Sequence, residues 1–272
     1  MSNLPALSGL PGTLLFTLRA RAEEHGRADR LLADPLAAQW YEQLPQSAAM
    51  QQAMAAAYSP VFQLGTAVRA QFYDEVAERF LAGHDQPVIV ELGAGLSTRF
   101  ARLGVDRALW LELDLPEAIA ARQRLDEETA SHRFLPFSLA DEAWVEAVTA
   151  VLPEGVVPAN MLFIAEGVLF FLSPADAAAL FRLLTRHFPG AAFALDVLTE
   201  QFSPSARRRF AAHDAPMQWF LADEQSIHTL GLSVLRSVVA AHQAPARWQA
   251  LGFDPAQLLT TQVNILMEAM IV

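Results

Sequence analysis

Two carboxylates and two glycines in one short stretch have the types and spacing of a site for a nucleotide-like cofactor. Glu91 follows an apolar, mostly β-branched run, Gly93 and Gly95 come next, and Asp114 ends a second apolar run. Glycine lets the backbone approach a ligand and adopt the positive φ of a sharp turn. A carboxylate at a strand tip can accept hydrogen bonds from both hydroxyls of a ribose. The stretch 88–114 therefore predicts a strand, a glycine turn, a short helix and a second strand around such a cofactor.

The glycine loop departs from two other motifs that it partly matches. A dinucleotide site requires G-x-G-x-x-G, and Thr98 stands at the third glycine position. A serine-hydrolase elbow, G-x-S-x-G, can be placed on Gly95 and Ser97, but Arg99 stands at its closing glycine. An acidic residue before a G-x-G loop, with an acidic strand tip further on, is the arrangement of class I S-adenosylmethionine (SAM) methyltransferases. A dinucleotide-dependent oxidoreductase remains an alternative.

Histidine and cysteine usage predicts no metal site. The seven histidines form no H-E-x-x-H or H-x-x-x-H pair. Glu224 and His228 lie four residues apart, which we interpret as a surface helical pair rather than two ligands. The absence of cysteine excludes disulfides and thiolate chemistry.

Composition limits the class of protein and its partners. The 53% hydrophobic content and the mean hydropathy of +0.23 fit a buried parallel sheet with helices on both faces. A net charge of −11 argues against a nucleic-acid partner, and the basic cluster 207–209 is predicted to be a solvated surface. No apolar run is long enough for a membrane span. Arg19, the first basic residue, follows the apolar opening, opposite to the order of a secretory signal, so we expect a cytoplasmic protein without membrane contact.

Helix signals dominate the first part of the chain. Residues 19–58 are predicted to be helical, with Asp34-Pro35 as one helix start and a Met- and Ala-rich piece over 50–58. Ser59-Pro60 begins a further helix that Gly83 ends. We predict a helical N-terminal cap over 1–83.

Short apolar runs then alternate with helices, which predicts βαβ units. We expect an α/β fold: a class I methyltransferase (Rossmann-like), mostly parallel sheet with helices on both faces, over 84–272. An insert after about residue 203 is expected to contribute to the acceptor pocket. The predicted strands are 88–92, 108–113, 160–165, 191–197, 232–237 and 261–271; for the last of these a helix is the alternative. The predicted helices are 97–103, 116–130, 141–152, 174–188 and one from Pro204.

Arg69 and Tyr73 lie four residues apart on the helix before the sheet, so they share one face. One interpretation is an arginine stacked on a tyrosine at the surface. The other is a pair that overhangs the glycine loop.

The sequence resembles the leucine carboxyl methyltransferase family, in particular its bacterial branch that resembles the polyketide O-methyltransferase of tetracenomycin biosynthesis. The resemblance runs from about residue 19 to 199, while the last seventy or so residues match only loosely. The residues that carry it are 34–37 (DPLA), 91–99 (ELGAGLSTR), 113–116 (LDLP), 138–139 (SL) with Trp144, and 165–172 (AEGVLFFL).

The resemblance implies SAM as cofactor and a set of residues that bind it. Arg69 is expected to reach the SAM carboxylate, Asp114 the ribose, and Glu166 the methionine amine. Glu91 and Glu166 as strand-end carboxylates bound by backbone N–H groups, and Arg69 in a surface ion pair, remain alternatives. The implied cofactor-binding residues are Arg69, Glu91, Gly93, Gly95, Asp114, Leu115, Ser138, Leu139 and Glu166.

Two departures from the family pattern bear on the methyl acceptor. Ala140 replaces an arginine that holds a peptide carboxylate, and Phe171 replaces a tyrosine. Both argue against a protein C-terminus and for a more apolar pocket. We expect O-methylation of a small-molecule carboxylate or phenol. A SAM-binding partner without turnover would share every cofactor motif.

A carboxylate or phenolate is already nucleophilic, so alignment and desolvation carry the expected mechanism. This agrees with the lack of an acid–base constellation in the sequence. Arg19 and Tyr73 are the candidates for aligning the acceptor, and His213 and Trp219 are further candidates for its surroundings.

Overall fold

A seven-stranded sheet organises the protein. The computed structural model describes residues 10–44, 58–103, 107–202, 207, 216–258 and 263–272. The strands are β1 (Val88–Leu92), β2 (Leu109–Asp114), β3 (His132–Pro136), β4 (Met161–Ala165), β5 (Ala192–Leu198), β6 (Leu232–Val239) and β7 (Asn264–Ile271). Their order is β3-β2-β1-β4-β5-β7-β6, with β1 to β5 parallel and β7 antiparallel to both of its neighbours.

Helices in the described ranges precede and connect these strands. They are α1 (Leu10–His25), α2 (Pro35–Gln43), α3 (Pro60–Gly83), α4 (Arg99–Leu103), α5 (Pro116–Arg122), α6 (Ala143–Thr149), α7 (Pro174–His187), α8 (Pro245–Ala250) and α9 (Pro255–Leu258). Short 3₁₀ turns cover Pro158–Asn160, Leu169–Phe171, Glu224–Leu230 and Ala240–His242. None of the helices in this part of the chain is long and apolar enough to cross a membrane.

Both faces of the sheet are buried, as the sequence predicts. Along β4, Phe163 faces one core together with α6 and α7, while Leu162 and Ile164 face a second core together with α3. This alternation follows from the period of two in a strand. The predicted α/β fold with a mostly parallel sheet is therefore confirmed.

Three serine or aspartate helix starts fix where α2, α3 and α7 begin. Asp34 Oδ1 accepts the Ala37 N–H at 2.9 Å, and Ser59 Oγ accepts the Phe62 N–H at 3.2 Å. Ser173 Oγ accepts the N–H three residues on at 3.1 Å. Each is followed by proline at the first helical position. The predicted end of α3 at Gly83 is also confirmed.

Some predicted elements are wrong. The helix expected over 116–130 ends at Arg122, and 132–136 forms β3, which the sequence analysis missed because this HRFLP segment lacks both apolar alternation and β-branched residues. Residues 26–34 form a loop rather than part of a helix. Most of the Met- and Ala-rich piece, the start of the helix from Pro204 and most of the basic cluster lie outside the described residues. The β6 and β7 predictions are confirmed.

Candidate functional site

A pocket of about 250 Å³ lies where β1, β2 and β4 end. The strand order reverses direction between β1 and β4, and the carboxyl ends of parallel strands at such a point are the usual place for a ligand. All nine predicted cofactor-binding residues line this pocket: Arg69, Glu91, Gly93, Gly95, Asp114, Leu115, Ser138, Leu139 and Glu166.

The glycine loop needs its two glycines for both conformation and space. Gly93 has φ +70° and Gly95 has φ +56°, a region that other residues rarely adopt. A Cβ on Gly93 would lie 2.6 Å from Val168 Cγ2, and one on Gly95 would lie 2.8 Å from Leu14 Cδ2. The loop therefore packs closely against α1 and the turn after β4.

The Asp114 carboxylate is oriented by two backbone donors. Oδ2 accepts the Gly95 N–H at 2.6 Å and Oδ1 accepts the Leu115 N–H at 2.7 Å. Burial raises the pKa of Asp114 to about 6, although these two N–H groups favour its charged form. Each oxygen keeps a further lone pair for a ligand hydroxyl.

Arg69 and Glu166 place opposite charges side by side in the pocket. Arg69 Nε lies 3.3 Å from Glu166 Oε1, and the two side chains are 12% and 16% exposed. Burial favours the neutral form of Glu166, but Arg99, Arg69 and Arg21 outweigh it and lower its pKa to about 2. The pocket thus holds a charged carboxylate beside a guanidinium, which complements the ammonium and carboxylate of an amino acid. The backbone-satisfied alternative for Glu166 and the surface-pair alternative for Arg69 are wrong.

Glu91 lines the pocket, and neighbouring side chains bind its carboxylate. Its Oε2 accepts Arg99 Nη1 at 2.7 Å and its Oε1 accepts Trp110 Nε1 at 3.0 Å, and the residue is only 3% exposed. Arg99 also donates to Glu166 through Nη2. Side chains, not backbone N–H groups, therefore satisfy Glu91, and its charge helps to position Glu166 through their shared arginine.

Asp34 connects the N-terminal helices to the glycine loop. Its Oδ2 accepts hydrogen bonds from Arg21 Nε at 3.0 Å and Thr98 Oγ1 at 2.6 Å. Arg21 also donates to the Leu96 carbonyl at 2.5 Å and lines the pocket. Thr98 thus replaces the third glycine of a dinucleotide motif with a hydroxyl that binds α2. No sequence motif marks Arg21, whose only sequence signal is its helical context.

Arg19 and Tyr73, the candidates for aligning an acceptor, are not among the described residues that line the pocket. Arg19 pairs with Glu23 at 2.8 Å, and its guanidinium lies 4.2 Å from the Tyr58 ring centroid. It is not among the described residues that line the pocket, because two positions along α1 turn a side chain through about 200° from the face of Arg21. The role of Arg19 in aligning an acceptor therefore stays a prediction without support from the lining of this pocket.

Tyr73 and Trp219 are likewise not among the described residues that line the pocket. Tyr73 is fully buried, and its hydroxyl lies 3.0 Å from Asp196 Oδ1 and 3.3 Å from the Ala165 carbonyl oxygen. This excludes the surface stack with Arg69. Trp219 packs on Phe181 with ring centroids 5.7 Å apart. His213 lies outside the described residues.

The remaining part of the pocket is mostly apolar. Ala140 and Phe171, the two departures from the family pattern, both line it, with Gln218 beside them. Gln218 Nε2 donates to the Phe171 carbonyl at 3.1 Å. Sequence reasoning missed Gln218, since it lies in an irregular segment without a motif. Other lining residues that it missed are Leu14, Thr17, Phe137, Val168, Leu172, Ser173 and Asp176.

Comparison with known proteins decides the family. A sequence model described as leucine carboxyl methyltransferase matches residues 14–185. The chain belongs to this family. All nine predicted cofactor-binding residues lie within the matched span.

Relatives with assigned activities are methyltransferases. The tetracenomycin polyketide synthesis O-methyltransferase of Streptomyces glaucescens is 32% identical over 193 residues, covering 71% of this chain and 67% of that protein. An S-adenosyl-L-methionine-dependent methyltransferase of Gibberella zeae is 28% identical over 192 residues, covering 67% of this chain and 62% of that protein. The chain therefore spans less than two thirds of the Gibberella relative. This leucine carboxyl methyltransferase family member is thus a SAM-dependent methyltransferase, which displaces the oxidoreductase alternative.

Solved structures share the fold. A duf574 family protein from Streptomyces avermitilis has a TM-score of 0.60 at 16% identity, covering 99% of this chain and 100% of that one. A candidate methyltransferase from Thermobifida fusca has a TM-score of 0.61 at 14% identity, covering 98% and 97%. With the observed strand order, these likenesses confirm the class I methyltransferase fold.

Proposed function

We propose that the protein binds SAM in this pocket and methylates an oxygen of a small molecule, either a carboxylate or a phenolic hydroxyl. The observation that carries the proposal is the meeting of a glycine loop, an oriented ribose-type carboxylate and an Arg69–Glu166 charge pair in one pocket. Asp114, Arg69 and Glu166 complement the ribose, the carboxylate and the ammonium of SAM.

The residues fit SAM at both of its ends. Asp114 would accept the ribose hydroxyls, since both oxygens are aimed by backbone donors and keep free lone pairs. Leu115 and Leu139, which line the same pocket, would flank the adenine with Ser138. Arg69 would bind the methionine carboxylate and Glu166 the ammonium. Gly93 and Gly95 line the same pocket and would flank the methionine part of SAM.

The division of the chain is part of the same proposal. We infer that residues 1–83 form a cap and that 84–272 form the SAM-binding domain, with an insert after about residue 203 beside the acceptor. Leu14, Thr17 and Arg21 of α1 line the pocket, which supports this role for the N-terminal helices.

SAM supplies a methyl group on a sulfonium when it is bound. The chain's own task is then to orient the acceptor oxygen and exclude water. The apolar lining residues Val168, Phe171 and Leu172 suit desolvation of that oxygen. Ala140, in place of an arginine, and the name of the Streptomyces glaucescens relative both support a small-molecule acceptor over a protein C-terminus.

Isothermal titration with SAM tests the cofactor assignment. We expect a dissociation constant in the micromolar range, corresponding to about −8 kcal/mol at 1 μM. Absence of any binding heat with SAM raised to about hundredfold that range, using folded protein, would overturn the proposal.

A further inference from the structure

Asp196 is a buried carboxylate for which the proposed SAM site has no role. It lies near the carboxyl end of β5 and is fully inaccessible. Its Oδ1 accepts the Gly167 N–H at 2.6 Å and faces the Tyr73 hydroxyl at 3.0 Å. Its Oδ2 has no hydrogen-bond partner among the described residues, and Arg69 Nη1 lies 3.9 Å away. A buried carboxylate oxygen with only a guanidinium near it is costly unless that guanidinium stays in place.

The turn after β4 restricts the Arg69 side chain from another side. Gly167 has φ +67°, and a Cβ there would lie 2.9 Å from Arg69 Cζ. The guanidinium therefore packs directly on the Gly167 backbone, whose N–H is bound to Asp196. The Asp196 carboxylate thus holds the turn through the Gly167 N–H, and it also lies near the positive charge of Arg69, which packs on that turn.

Two carboxylates flank Arg69, but only one of them faces the pocket. Glu166 lines the pocket and is also bound by Arg99. Asp196 is fully buried and is not among the described residues that line the pocket. A ligand ammonium that engages Glu166 weakens its pairing with Arg69. Asp196 remains as the counter-ion, and the five N–H donors of arginine leave others free for a ligand carboxylate.

We propose that Asp196, held by Tyr73, is a positioning residue that presents the Arg69 guanidinium to the carboxylate of the cofactor's amino-acid part. This inference rests on the proposed SAM site. It assigns a role to Asp196 and explains why Tyr73 is buried rather than exposed to an acceptor.

The role predicts a selective effect on one end of the cofactor. Asp196→Asn keeps the size of the side chain, removes its charge and can place an amide NH₂ toward Arg69. We expect about tenfold weaker binding of SAM, equivalent to about 1.4 kcal/mol. Binding of 5′-methylthioadenosine, which keeps the adenosine but lacks the amino-acid part, should stay within about twofold of wild type, a difference well under 1 kcal/mol.

Titration of both ligands into wild type and variants is the experiment, with circular dichroism melting as the check on folding. Tyr73→Phe removes only the hydroxyl that holds Asp196, and should weaken SAM in the same selective way by a smaller factor. This second variant carries the test if Asp196→Asn does not fold. Asp85→Asn, the same change at an exposed bend between α3 and β1, is the matched control and should change neither ligand.

The outcomes separate the two proposals. Wild type that binds neither ligand would overturn both the SAM site and the role of Asp196. Wild type that binds both, with variants that lose SAM and 5′-methylthioadenosine equally or lose neither, would overturn the positioning role and leave the SAM site standing.

Discussion

Asp114 Oδ2 accepts the Gly95 backbone N–H at 2.6 Å, so the carboxylate at the end of β2 and the glycine loop after β1 are directly joined. The contact orients the carboxylate before any ligand arrives and fixes the loop at the same time. A change at Asp114 is therefore expected to act on ligand contacts and on loop geometry together.

Removal of this carboxylate should weaken cofactor binding. Asp114→Ala loses two acceptor oxygens for ribose hydroxyls and leaves the Gly95 N–H without its partner, so SAM should bind at least about tenfold more weakly, or about 1.4 kcal/mol. Isothermal titration gives the number, with Asp85→Ala at an exposed position as control. Unchanged affinity in Asp114→Ala would refute the ribose assignment.

Cofactor affinity should depend on pH through the same group. Burial raises the pKa of Asp114 to about 6, and the ionised form is the one that accepts both ribose hydroxyls. The affinity for SAM is therefore highest above this pKa, and it falls as the pH drops through the pKa, by up to about tenfold per pH unit. The lowered pKa of Glu166, about 2, keeps that residue charged throughout.

Titrations at a series of pH values from below to above the Asp114 pKa measure this dependence. Asp114→Asn cannot ionise, so its weaker binding should be nearly flat over the same series. A wild-type profile as flat as that of Asp114→Asn would contradict the assignment.

Gly93 should not tolerate a side chain, for two separable reasons. Gly93→Ala puts a methyl group at φ +70° and 2.6 Å from Val168 Cγ2, so it combines backbone strain of about 1–2 kcal/mol with a steric clash. Gly155→Ala meets the same kind of strain at φ +83°, with nothing within 4 Å of the new Cβ.

Urea unfolding should rank Gly93→Ala below Gly155→Ala in stability. Val168→Ala introduced into Gly93→Ala should recover part of the difference by removing the clashing methyl groups. Equal losses in the two glycine variants would show that the loop relaxes away from Val168.

Arg122 should be required for the shape of the glycine loop. It donates to the carbonyls of Gly95 at 3.0 Å and Ser97 at 2.6 Å, and it forms an ion pair with the fully buried Glu112. Arg122→Met would leave the buried Glu112, whose pKa burial already raises, without its guanidinium partner and with His132 at 3.0 Å. We expect a loss of about 3–5 kcal/mol in the free energy of unfolding.

A double-mutant cycle separates the charge effect from the loop effect. Glu112→Gln combined with Arg122→Met removes the buried carboxyl group that has lost its partner, and should recover much of the stability measured by urea unfolding. Cofactor affinity should stay low, because the carbonyls of the loop remain without their donor. Strictly additive losses of stability would contradict the pairing.

The cofactor end of the site could be predicted from sequence because its residues belong to local motifs. Gly93 and Gly95 follow one strand and Asp114 ends the next, so their meeting follows from a parallel βαβ unit. Arg21 and Asp196 could not be found in this way. Arg21 differs from Arg19 only in the rotation of α1, and Asp196 stands inside an apolar strand run where its partners, Tyr73 and Gly167, come from other elements.

Transfer of an isotopically labelled methyl group from SAM to a panel of small carboxylic acids and phenols is the direct test of O-methylation. Wild type should form a labelled ester or aryl ether. Asp114→Ala should form at least about tenfold less product at SAM concentrations below saturation. Transfer to none of these acceptors by protein that binds SAM, or transfer that Asp114→Ala leaves unchanged, would refute the proposed function.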